Sequence, residues 1–373
     1  MKITHFVENL NRGGLERVVI NLVIAQRDAG HECRVICLHE AGSLAHELVD
    51  HGVPVDACNK RNGVDLRALA FARGVLRKHG VDILHSHNII AHDYAALACR
   101  GLPLRQLINT RHGMGGPPLA NAREWLYRRC LRRTDHVAAV CEAAKRNLIV
   151  QGGLPAEKMV VVPNGIHVER FTPASADARR RLAAMLGVAP TTRVIGCVGR
   201  LNWAKDIATL IRAFARLRST EPDSVLVLIG DGSLRQELTD LAVAEGVAEQ
   251  VRFLGDRSDV RELLQGLHVF AMSSVSEGYS IALLEASASA LPIVATAVGG
   301  NAEIVRDGVS GRIVVPRDPA VFADALADVL GDLDRADAMG RAGREWALAH
   351  GTFAGMVDRY QALYEGRSLD GIG

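Results

Sequence analysis

Two glutamates, Glu277 and Glu285, lie eight residues apart in the stretch 276–286 and point most directly to chemistry. The stretch predicts a loop that opens a helix. Gly278 allows close backbone approach there, and the N–H groups of the first helical turn suit an anion or sugar hydroxyls. Glu285 stands in an apolar run, so its carboxylate needs hydrogen-bonding partners such as the vicinal hydroxyls of a ribose or hexose. The alternative interpretation is a surface glutamate at each end of an ordinary helix.

Two cations, Arg200 and Lys205, follow a predicted strand that ends at Gly199. A forked guanidinium and a compact ammonium at this spacing could share a diphosphate. Solvated loop cations are the commoner interpretation of any single Arg or Lys. The position just past the carboxyl end of a strand favours ligand binding, because ligands of doubly wound sheets bind there.

A pair of glycines, Gly13 and Gly14, follows the first predicted strand and begins a helix. Paired glycines let the backbone approach a phosphate closely. No third glycine completes the dinucleotide fingerprint Gly-x-Gly-x-x-Gly, so a nicotinamide-dependent dehydrogenase is disfavoured.

A polar cluster stands at the ends of two other predicted strands, in His85-Ser86-His87 and Thr110-Arg111-His112. From there His112 could donate a hydrogen bond to a hydroxyl or a phosphate. A solvated loop histidine is the alternative.

Patterns typical of metal binding are weak in this sequence. The seven cysteines form no Cys-x-x-Cys pair and stand mostly in apolar runs, as expected for small buried side chains in a reducing compartment. The string Asp332-Leu333-Asp334 belongs to an acidic helical segment and is interpreted as a chance match. We therefore predict no metal site and no resident cofactor.

Short β-rich runs alternate with helical patterns along all 373 residues, which is typical of parallel sheets with crossover helices. The predicted strands of the first series are Lys2–Val7, Cys33–Leu38, Val81–His85, Gln106–Thr110 and Val137–Cys141. The predicted helices of that series are Leu15–Ala29, Leu66–Lys78, Ala122–Leu131 and Glu142–Gln151. The second series of predicted strands comprises Val194–Gly199, Val225–Ile229, Val251–Leu254, Val269–Met272 and Ile293–Ala295.

The turn-rich segment between Pro163 and Pro173 separates the two series. We predict a first domain over residues 1–168, a second over 169–352, and a C-terminal helix within 353–373 that packs back on the first domain. The fold class is thus α/β, with two Rossmann-like doubly wound domains facing a central cleft.

Net charge is distributed unevenly between the two halves. Residues 1–170 carry a net charge of +7 and residues 171–373 a net charge of −5. An anionic partner of the first half would explain this difference, although drift of surface charge would also produce it. The longest stretch of low charge, 281–298, is interrupted by Glu285 and Pro292, so it does not predict a membrane span.

Several of these motifs occur together in an order that resembles the family 4 retaining glycosyltransferases, which have the GT-B fold. The motifs are Gly13-Gly14, Pro163-Asn164-Gly165-Ile166, Gly199-Arg200 with Lys205, Glu277-x7-Glu285 and Ala297-Val298-Gly299-Gly300-Asn301-Ala302-Glu303. The resemblance covers nearly the whole chain. Each motif is modest by itself, but the ordered set is specific.

The resemblance implies a metal-independent hexosyltransferase, in which the second domain binds a UDP- or GDP-linked sugar and the first domain binds the acceptor. It implies that Arg200 and Lys205 bind the donor diphosphate, that Glu285 binds the ribose, and that His112 faces the donor sugar. It places the transferred sugar at Glu277 and the residues after it, Gly278, Tyr279, Ser280 and Ile281. Gly13 and Gly14 would lie near the phosphates or the acceptor.

Two positions depart from the pattern of the family. Asp206 stands where a glycine usually follows the lysine, and Tyr279-Ser280 replaces the commoner aromatic-Pro or aromatic-Gly pair. Both departures bear on the identity of the donor sugar more than on the activity.

A predicted helix over 123–133 clusters Arg128, Arg129, Arg132 and Arg133 near Trp125 and Tyr127. This composition suits an anionic lipid surface, and a solvated helix with its apolar side in the core is the alternative. We expect a cytoplasmic enzyme, at most peripheral on the inner leaflet, that glycosylates a glycan or lipid-linked acceptor in envelope or exopolysaccharide assembly. A nucleotide-sugar epimerase and a non-catalytic sugar-nucleotide binding protein are the alternatives. Nucleic-acid binding is disfavoured because the arginines lack stacking aromatics on a second element.

Overall fold

The structure is a computed structural model that describes residues 1–11, 13–114, 122–369 and 371, with residues 122–124 described by their backbone alone. It contains two compact units. The N-terminal unit comprises residues 1–164 together with the C-terminal helix from Ala354, and the C-terminal unit comprises residues 165–353. The units are therefore divided after Asn164 and after Phe353, close to the boundaries predicted at 168 and 352.

The N-terminal unit alternates strands and helices from its first residues. Its elements are β1 (Lys2–Val7), α1 (Gly14–Asp28), β2 (Glu32–Cys37), α2 (Ala45–Asp50), β3 (Val55–Ala57), α3 (Leu66–His79), β4 (Ile83–His87), α4 (Ile89–Ala98), β5 (Gln106–Arg111), α5 (Ala122–Leu131), β6 (His136–Ala139), α6 (Glu142–Val150) and β7 (Met159–Val161). All pairings in its seven-stranded sheet are parallel, in the order β3-β2-β1-β4-β5-β6-β7.

The C-terminal unit repeats this alternation. Its elements are α7 (Ala176–Leu186), β8 (Arg193–Val198), α8 (Ile207–Leu217), β9 (Ser224–Ile229), α9 (Arg235–Ala244), β10 (Val251–Gly255), α10 (Val260–Leu264), β11 (Val269–Met272), α11 (Ile281–Ala288), β12 (Ile293–Thr296), α12 (Asn301–Ile304), β13 (Gly311–Val314), α13 (Pro319–Leu330) and α14 (Leu333–His350). Its six-stranded parallel sheet has the order β10-β9-β8-β11-β12-β13. The last helix of the chain is α15 (Phe353–Tyr364).

The two doubly wound sheets confirm the predicted fold class. The sequence pattern missed three strands, β3, β7 and β13, each of which has only three or four residues. A run this short shows little periodicity, and pairing with a neighbouring strand decides whether it is extended. Each sheet is packed against helices, with Phe6 in the core of the N-terminal unit and Phe214 and Phe322 in that of the C-terminal unit.

Each sheet reverses its strand order at one place. The reversal lies between β1 and β4 in the N-terminal unit and between β8 and β11 in the C-terminal unit. At such a point the loops that leave two adjacent strands diverge and open a crevice at the carboxyl ends of the strands. The predicted site residues follow these strands or the strands next to them. No helix among the described residues has the length and apolar character needed to cross a bilayer.

Candidate functional site

In the C-terminal unit, an ion pair lies at the point where the strand order reverses. Lys205 ends a short 3-10 turn after β8, and Glu277 lies in the loop after β11. The Lys205 Nζ atom is 2.5 Å from Glu277 Oε1, and the two side chains are 19% and 11% exposed. The tertiary structure thus joins two predicted site residues that are 72 positions apart in the sequence.

Hydrogen bonds hold the two loops of this ion pair together. The Ser273 hydroxyl donates to the carbonyl oxygens of Lys205 (3.1 Å) and Asp206 (2.9 Å). The Val275 N–H donates to the Ala204 carbonyl oxygen at 2.8 Å. The Ser274 hydroxyl donates to Glu277 Oε1 at 2.6 Å, so this carboxylate oxygen accepts from a cation and a hydroxyl. A charged pair held in this way is preorganised to interact with a ligand charge.

A third loop, which follows β12, packs against the Glu277 loop. Gly299 has a φ of +53°, and a Cβ atom at this position would overlap the carbonyl oxygen of Glu277. The Gly300 N–H donates to the Gly278 carbonyl oxygen at 2.8 Å. Gly299 therefore permits a close backbone approach that fixes the position of Glu277 and Gly278.

Asp206, the first departure from the family pattern, has a conformational explanation. Its φ and ψ are 44° and 48°, the left-handed region that glycine adopts most readily. Aspartate tolerates this region better than most residues, and here Asp206 Oδ2 accepts a hydrogen bond of 2.7 Å from the Thr209 hydroxyl. The backbone shape after Lys205 is therefore kept without the glycine.

The residues after Glu277 lead into α11. Tyr279 and Ser280 are buried, with 6% and 4% of their surface exposed. The Ser280 hydroxyl caps the helix by accepting from the Leu283 N–H at 3.4 Å, and Ile281 is the half-buried first residue of the helix. In the second departure from the family pattern, Ser280 thus serves as an N-cap, a role for which serine is strongly preferred.

Glu285 lies one turn further along α11 than its first residue. Burial raises the pKa of its carboxyl group to about 7, and the positive charge of Arg261 opposes this shift. Among the described residues, no donor forms a hydrogen bond with this carboxylate. A desolvated carboxyl group that the protein leaves without a donor suits ligand hydroxyls.

Arg200 follows β8 directly and is exposed, and its carbonyl oxygen accepts from the Asn202 N–H at 2.9 Å. The Lys205 side chain lies over Gly199, because a Cβ atom there would be 3.2 Å from Lys205 Cε. Both predicted cations thus stand in the turn after β8, and the contacts of Lys205 place it at Glu277.

In the N-terminal unit, Gly13 and Gly14 follow β1 as predicted. Gly13 immediately precedes α1, its carbonyl oxygen accepts from the Arg17 N–H at 3.1 Å, and Gly14 is the first helical residue. Arg12, the residue before this pair, lies outside the described residues. Apart from its two chain neighbours and the nearby backbone of its own helix, no described atom lies within 4 Å of the point where Gly14 would carry a Cβ, so space is available there for close approach.

The predicted histidine cluster is assembled at the reversal point of the N-terminal unit. His112 follows β5 and is half-buried, and its Nε2 atom is 3.0 Å from His87 Nδ1 on β4. Its backbone N–H donates to Asn88 Oδ1 at 3.2 Å. Burial lowers the pKa of His112 to about 3, so the ring is neutral at neutral pH.

The sequence interpretation missed several members of this cluster. His5, in the middle of buried β1, has ring nitrogens bonded to His87 and Gln26. Tyr360 and Tyr364 of α15 were predicted only as part of the C-terminal helix that packs back on the first domain, yet their hydroxyls reach Thr110 and His85. A histidine inside an otherwise apolar inner strand was the signal available in the sequence.

Three buried imidazoles, those of His5, His85 and His87, form a group whose nitrogens lie within 4.8 Å of one another, among the residues that the structure describes. The sequence motifs predicted no metal site, and they did not bring these three residues together. Whether the group suits an ion depends on the hydrogen bonds that the three rings already make.

The arginine-rich helix α5 differs in part from its prediction. Tyr127 was proposed as part of a lipid-facing surface, but it is buried and its hydroxyl donates to Asn109 Oδ1 at 2.8 Å. The phenol fills the core of the unit because its hydroxyl finds a buried acceptor there. Trp125 is 63% exposed beside Arg129, and Arg128 donates to the Gly152 carbonyl oxygen at 2.8 Å. Arg132 and Arg133 are exposed.

Comparison with known proteins gives matches over both units. Residues 12–170 match the family described as Glycosyltransferase Family 4, and residues 179–346 match the family described as Glycosyl transferases group 1. A GDP-mannose-dependent alpha-(1-6)-phosphatidylinositol monomannoside mannosyltransferase of Mycolicibacterium smegmatis is 35% identical over 276 residues, which cover 70% of this chain and 71% of that protein.

A D-inositol 3-phosphate glycosyltransferase of Nocardia farcinica is 31% identical over 306 residues. The match covers 75% of this chain and 66% of the relative, just under two thirds of its length. Among solved structures, that of Anabaena Alr3699/HepE in complex with UDP superposes with a TM-score of 0.87 at 22% identity, over 98% of this chain and all of the other. The structure of WaaG, a glycosyltransferase involved in lipopolysaccharide biosynthesis, superposes with a TM-score of 0.75 at 17% identity, over 98% of this chain and 100% of the other.

Proposed function

Because the chain belongs to the family 4 glycosyltransferases and has their GT-B fold, we propose that it transfers a hexosyl group from a nucleotide-diphosphate sugar to a glycan or lipid-linked acceptor. The observation that carries the proposal is the Lys205–Glu277 ion pair at the reversal point of the C-terminal sheet. A cation preorganised at such a point can stabilise the charge that develops on a departing diphosphate.

The proposed roles follow from the chemistry of each group. Lys205 and Arg200 bind the diphosphate, and the Lys205 ammonium is already oriented by Glu277. Glu285 accepts hydrogen bonds from the ribose hydroxyls, which replace the solvation that this carboxyl group loses by burial. Glu277 and the backbone from Gly278 to Ile281 bind the transferred sugar.

Retention of anomeric configuration belongs to this proposal, supported by the resemblance to retaining enzymes. The acceptor would attack from the side of the leaving diphosphate through an oxocarbenium-like state, so that no side chain serves as a covalent nucleophile. Metal independence belongs to it as well, since two protein cations after β8 could supply charge to the leaving group.

The donor and acceptor classes are proposed from the relatives. The names of two relatives include GDP-mannose, phosphatidylinositol monomannoside and inositol phosphate, and the Anabaena protein was solved with UDP and with UDP-glucose. We therefore propose a UDP- or GDP-linked hexose as donor and a role in envelope or exopolysaccharide assembly. Peripheral contact with an anionic membrane through Arg128, Arg129, Arg132 and Arg133 is part of the same proposal.

A donor screen tests the proposal. The melting temperature of the full chain is measured with UDP-, GDP- and ADP-linked hexoses, because a ligand that binds only the folded state raises it. The donor that gives a shift is then supplied as a radiolabelled sugar together with a membrane lipid and glycan extract. We expect one nucleotide class to raise the melting temperature and to yield a labelled glycoside.

Two variants make the screen specific. The Glu285→Gln variant should bind the donor about tenfold more weakly, since a neutral amide replaces the carboxylate acceptor. The same substitution at exposed Glu249 should leave donor binding unchanged. Release of an epimerised sugar nucleotide without glycoside, or binding without any turnover, would contradict the proposal. Activity abolished by a chelator and restored by a divalent ion would contradict metal independence.

A further inference from the structure

A continuous chain of hydrogen bonds runs from His112 into the core of the N-terminal unit. His112 Nε2 lies 3.0 Å from His87 Nδ1, and His87 Nε2 lies 3.1 Å from His5 Nδ1. His5 Nε2 lies 2.8 Å from Gln26 Oε1, and Gln26 Nε2 donates to the Tyr364 hydroxyl at 3.0 Å. Each of the first four members, from His112 to Gln26, is thus hydrogen-bonded to the next member of the chain.

Beyond Tyr364 the chain continues to β4 and β5. The Tyr364 hydroxyl lies 2.8 Å from His85 Nδ1, and His85 Nε2 lies 2.7 Å from the Thr110 hydroxyl. The Thr110 hydroxyl lies 3.0 Å from that of Tyr360. Apart from His112, all of these side chains are buried, and each of their polar atoms has a hydrogen-bond partner.

A neutral imidazole has one N–H and one bare nitrogen, so each ring in the chain donates on one side and accepts on the other. The Gln26 amide oxygen faces His5 Nε2, which must therefore carry the proton. His5 Nδ1 is then an acceptor, and His87 must donate from Nε2. By the same step His87 Nδ1 is an acceptor, and His112 must donate from Nε2.

We propose that this chain holds His112 in the Nε2–H tautomer, so that the ring presents a bare Nδ1 and accepts a hydrogen bond from a ligand hydroxyl. His5, His87 and Gln26 are then positioning residues, because they act through His112. Identification of the ligand as a sugar rests on the proposed function, whereas the tautomer itself does not. The sequence pattern had suggested His112 as a donor, and the hydrogen-bond chain reverses that role.

The neutral state of the rings supports this assignment. Burial lowers the pKa of His5 to about 4 and that of His112 to about 3, and it lowers the pKa values of His85 and His87 well below 6.5. A second proton on His5 or on His87 would set two N–H groups against each other. Because such an unmade buried hydrogen bond costs free energy, the donors along this series of hydrogen bonds all point in the same direction.

A metal ion bound by His5, His85 and His87 is the competing interpretation of the same cluster. Their six ring nitrogens already have partners: His87 and Gln26 for His5, Tyr364 and Thr110 for His85, and His5 and His112 for His87. An ion would have to replace one hydrogen bond of each ring. No carboxylate belongs to this group of ligand atoms. The geometry therefore favours the hydrogen-bond chain.

Nitrogen NMR of the ligand-free, full-length protein labelled with ¹⁵N-histidine tests the tautomer. We expect a pyridine-type signal for His112 Nδ1, a pyrrole-type signal for Nε2, and couplings across the N–H···N bonds from His112 to His87 and from His87 to His5. This tautomer is expected in about tenfold excess or more, since moving the proton to Nδ1 would leave two acceptors, His112 Nε2 and His87 Nδ1, facing each other. A protonated Nδ1, an imidazolium, missing couplings, or bound zinc that a chelator removes would each overturn the proposal.

Two variants separate positioning from general loss of structure. His87→Phe removes the link to His112 and should give a mixture of the two His112 tautomers. His92→Phe removes another fully buried histidine, one bonded to Ser86 and Thr134 rather than to the chain, and should leave the His112 signals unchanged. Equal effects of both variants would contradict a positioning role. If the His87 variant does not fold, Gln26→Met interrupts the same chain two links further in, and an unchanged His112 spectrum in that variant would contradict the proposal.

Donor analogues test the acceptor role. For each sugar hydroxyl, a deoxy and a fluoro analogue are compared by melting-temperature shift. Fluorine can accept but cannot donate, so at the hydroxyl that contacts His112 both analogues should lose affinity about equally. In the His112→Ala variant neither replacement should matter there. A fluoro analogue that keeps the affinity at the His112-dependent position would overturn the acceptor role. If no sugar nucleotide binds at all, the proposed function fails while the NMR result stands.

Discussion

The two units have the same kind of parallel sheet, but the groups at their reversal points differ: they are neutral in the N-terminal unit and charged or titratable in the C-terminal unit. At its reversal point the N-terminal unit places four imidazoles, neutral and hydrogen-bonded in one chain. The C-terminal unit places an ion pair and a desolvated carboxyl group on elements that follow β8 and β11. The difference indicates that a doubly wound sheet fixes where a site lies, whereas the side chains at the strand ends decide whether it works with charge or with oriented neutral groups.

The two units should therefore differ in how their stability depends on pH. Four histidines of lowered pKa lie at the reversal point of the N-terminal unit, whereas the C-terminal unit has, among its described residues, one such histidine, His268, together with Glu285, whose pKa is raised. The histidines of the N-terminal cluster have folded-state pKa values below the unfolded value of 6.5. Their contribution to the free energy of unfolding is therefore fully present above pH 6.5 and is lost as the pH falls. Glu285 has a raised pKa of about 7, so its contribution is complete below its unfolded value of 4.5 and is lost as pH rises through 7.

The largest effect is expected from acidification. Each histidine that stays neutral in the folded state costs about 1.4 kcal/mol per pH unit below 6.5, and four of them cost up to about 5 kcal/mol per unit. Hydrogen exchange at pH 7 and pH 5.5 should show a greater loss of protection in β1 and β4 than in β8 and β11, where His268 is one buried histidine against four. Equal loss in the two sheets would remove the contrast between the units.

The second effect is on activity. Lys205→Ala leaves the Glu277 carboxylate without its cation and removes charge from the proposed diphosphate site. We expect kcat/KM for transfer to fall about 10²- to 10³-fold, as when one preorganised group at a developing charge is removed. Lys78→Ala, at an exposed position, is the control and should leave kcat/KM unchanged. Unchanged transfer by the Lys205 variant would refute the role given to the ion pair.

The third effect concerns donor affinity. Only the ionised form of Glu285 accepts from two hydroxyls, so donor binding should weaken about tenfold between pH 8 and pH 6, given the pKa of about 7. Isothermal titration across this range measures the affinity. Glu285→Gln should bind weakly at every pH and show a flat profile, and a slope that persists in this variant would assign the titration to another group.

The smallest effect is expected at Asp206. Asp206→Gly relieves the left-handed strain but loses the hydrogen bond from Thr209, so the free energy of unfolding should change by less than about 1 kcal/mol. Asp206→Val places a β-branched residue at φ 44° and should destabilise the protein by about 2 kcal/mol. Thermal unfolding of the two variants compares them. Equal destabilisation would show that the carboxylate matters more than the backbone conformation.

Sequence alone determined the architecture and indicated where the candidate residues of the C-terminal unit lie. Alternating strand and helix patterns predicted two doubly wound sheets, because buried parallel strands and crossover helices have distinct periodicities. The positions of Lys205 after one strand and Glu277 before one helix placed both at a ligand-binding edge. Strand ends are local features, so short-range patterns suffice to find them.

Only the tertiary structure decided which of these groups meet and in what state. It joined Lys205 to Glu277, turned Tyr127 into the core, and linked His5, on the first strand, to Tyr364 on the last helix through Gln26. Contacts between residues that lie tens to hundreds of positions apart in the chain leave no periodic signal in the sequence. The neutral state of the histidines follows from desolvation, and desolvation is a property of the packed interior rather than of any segment of the chain.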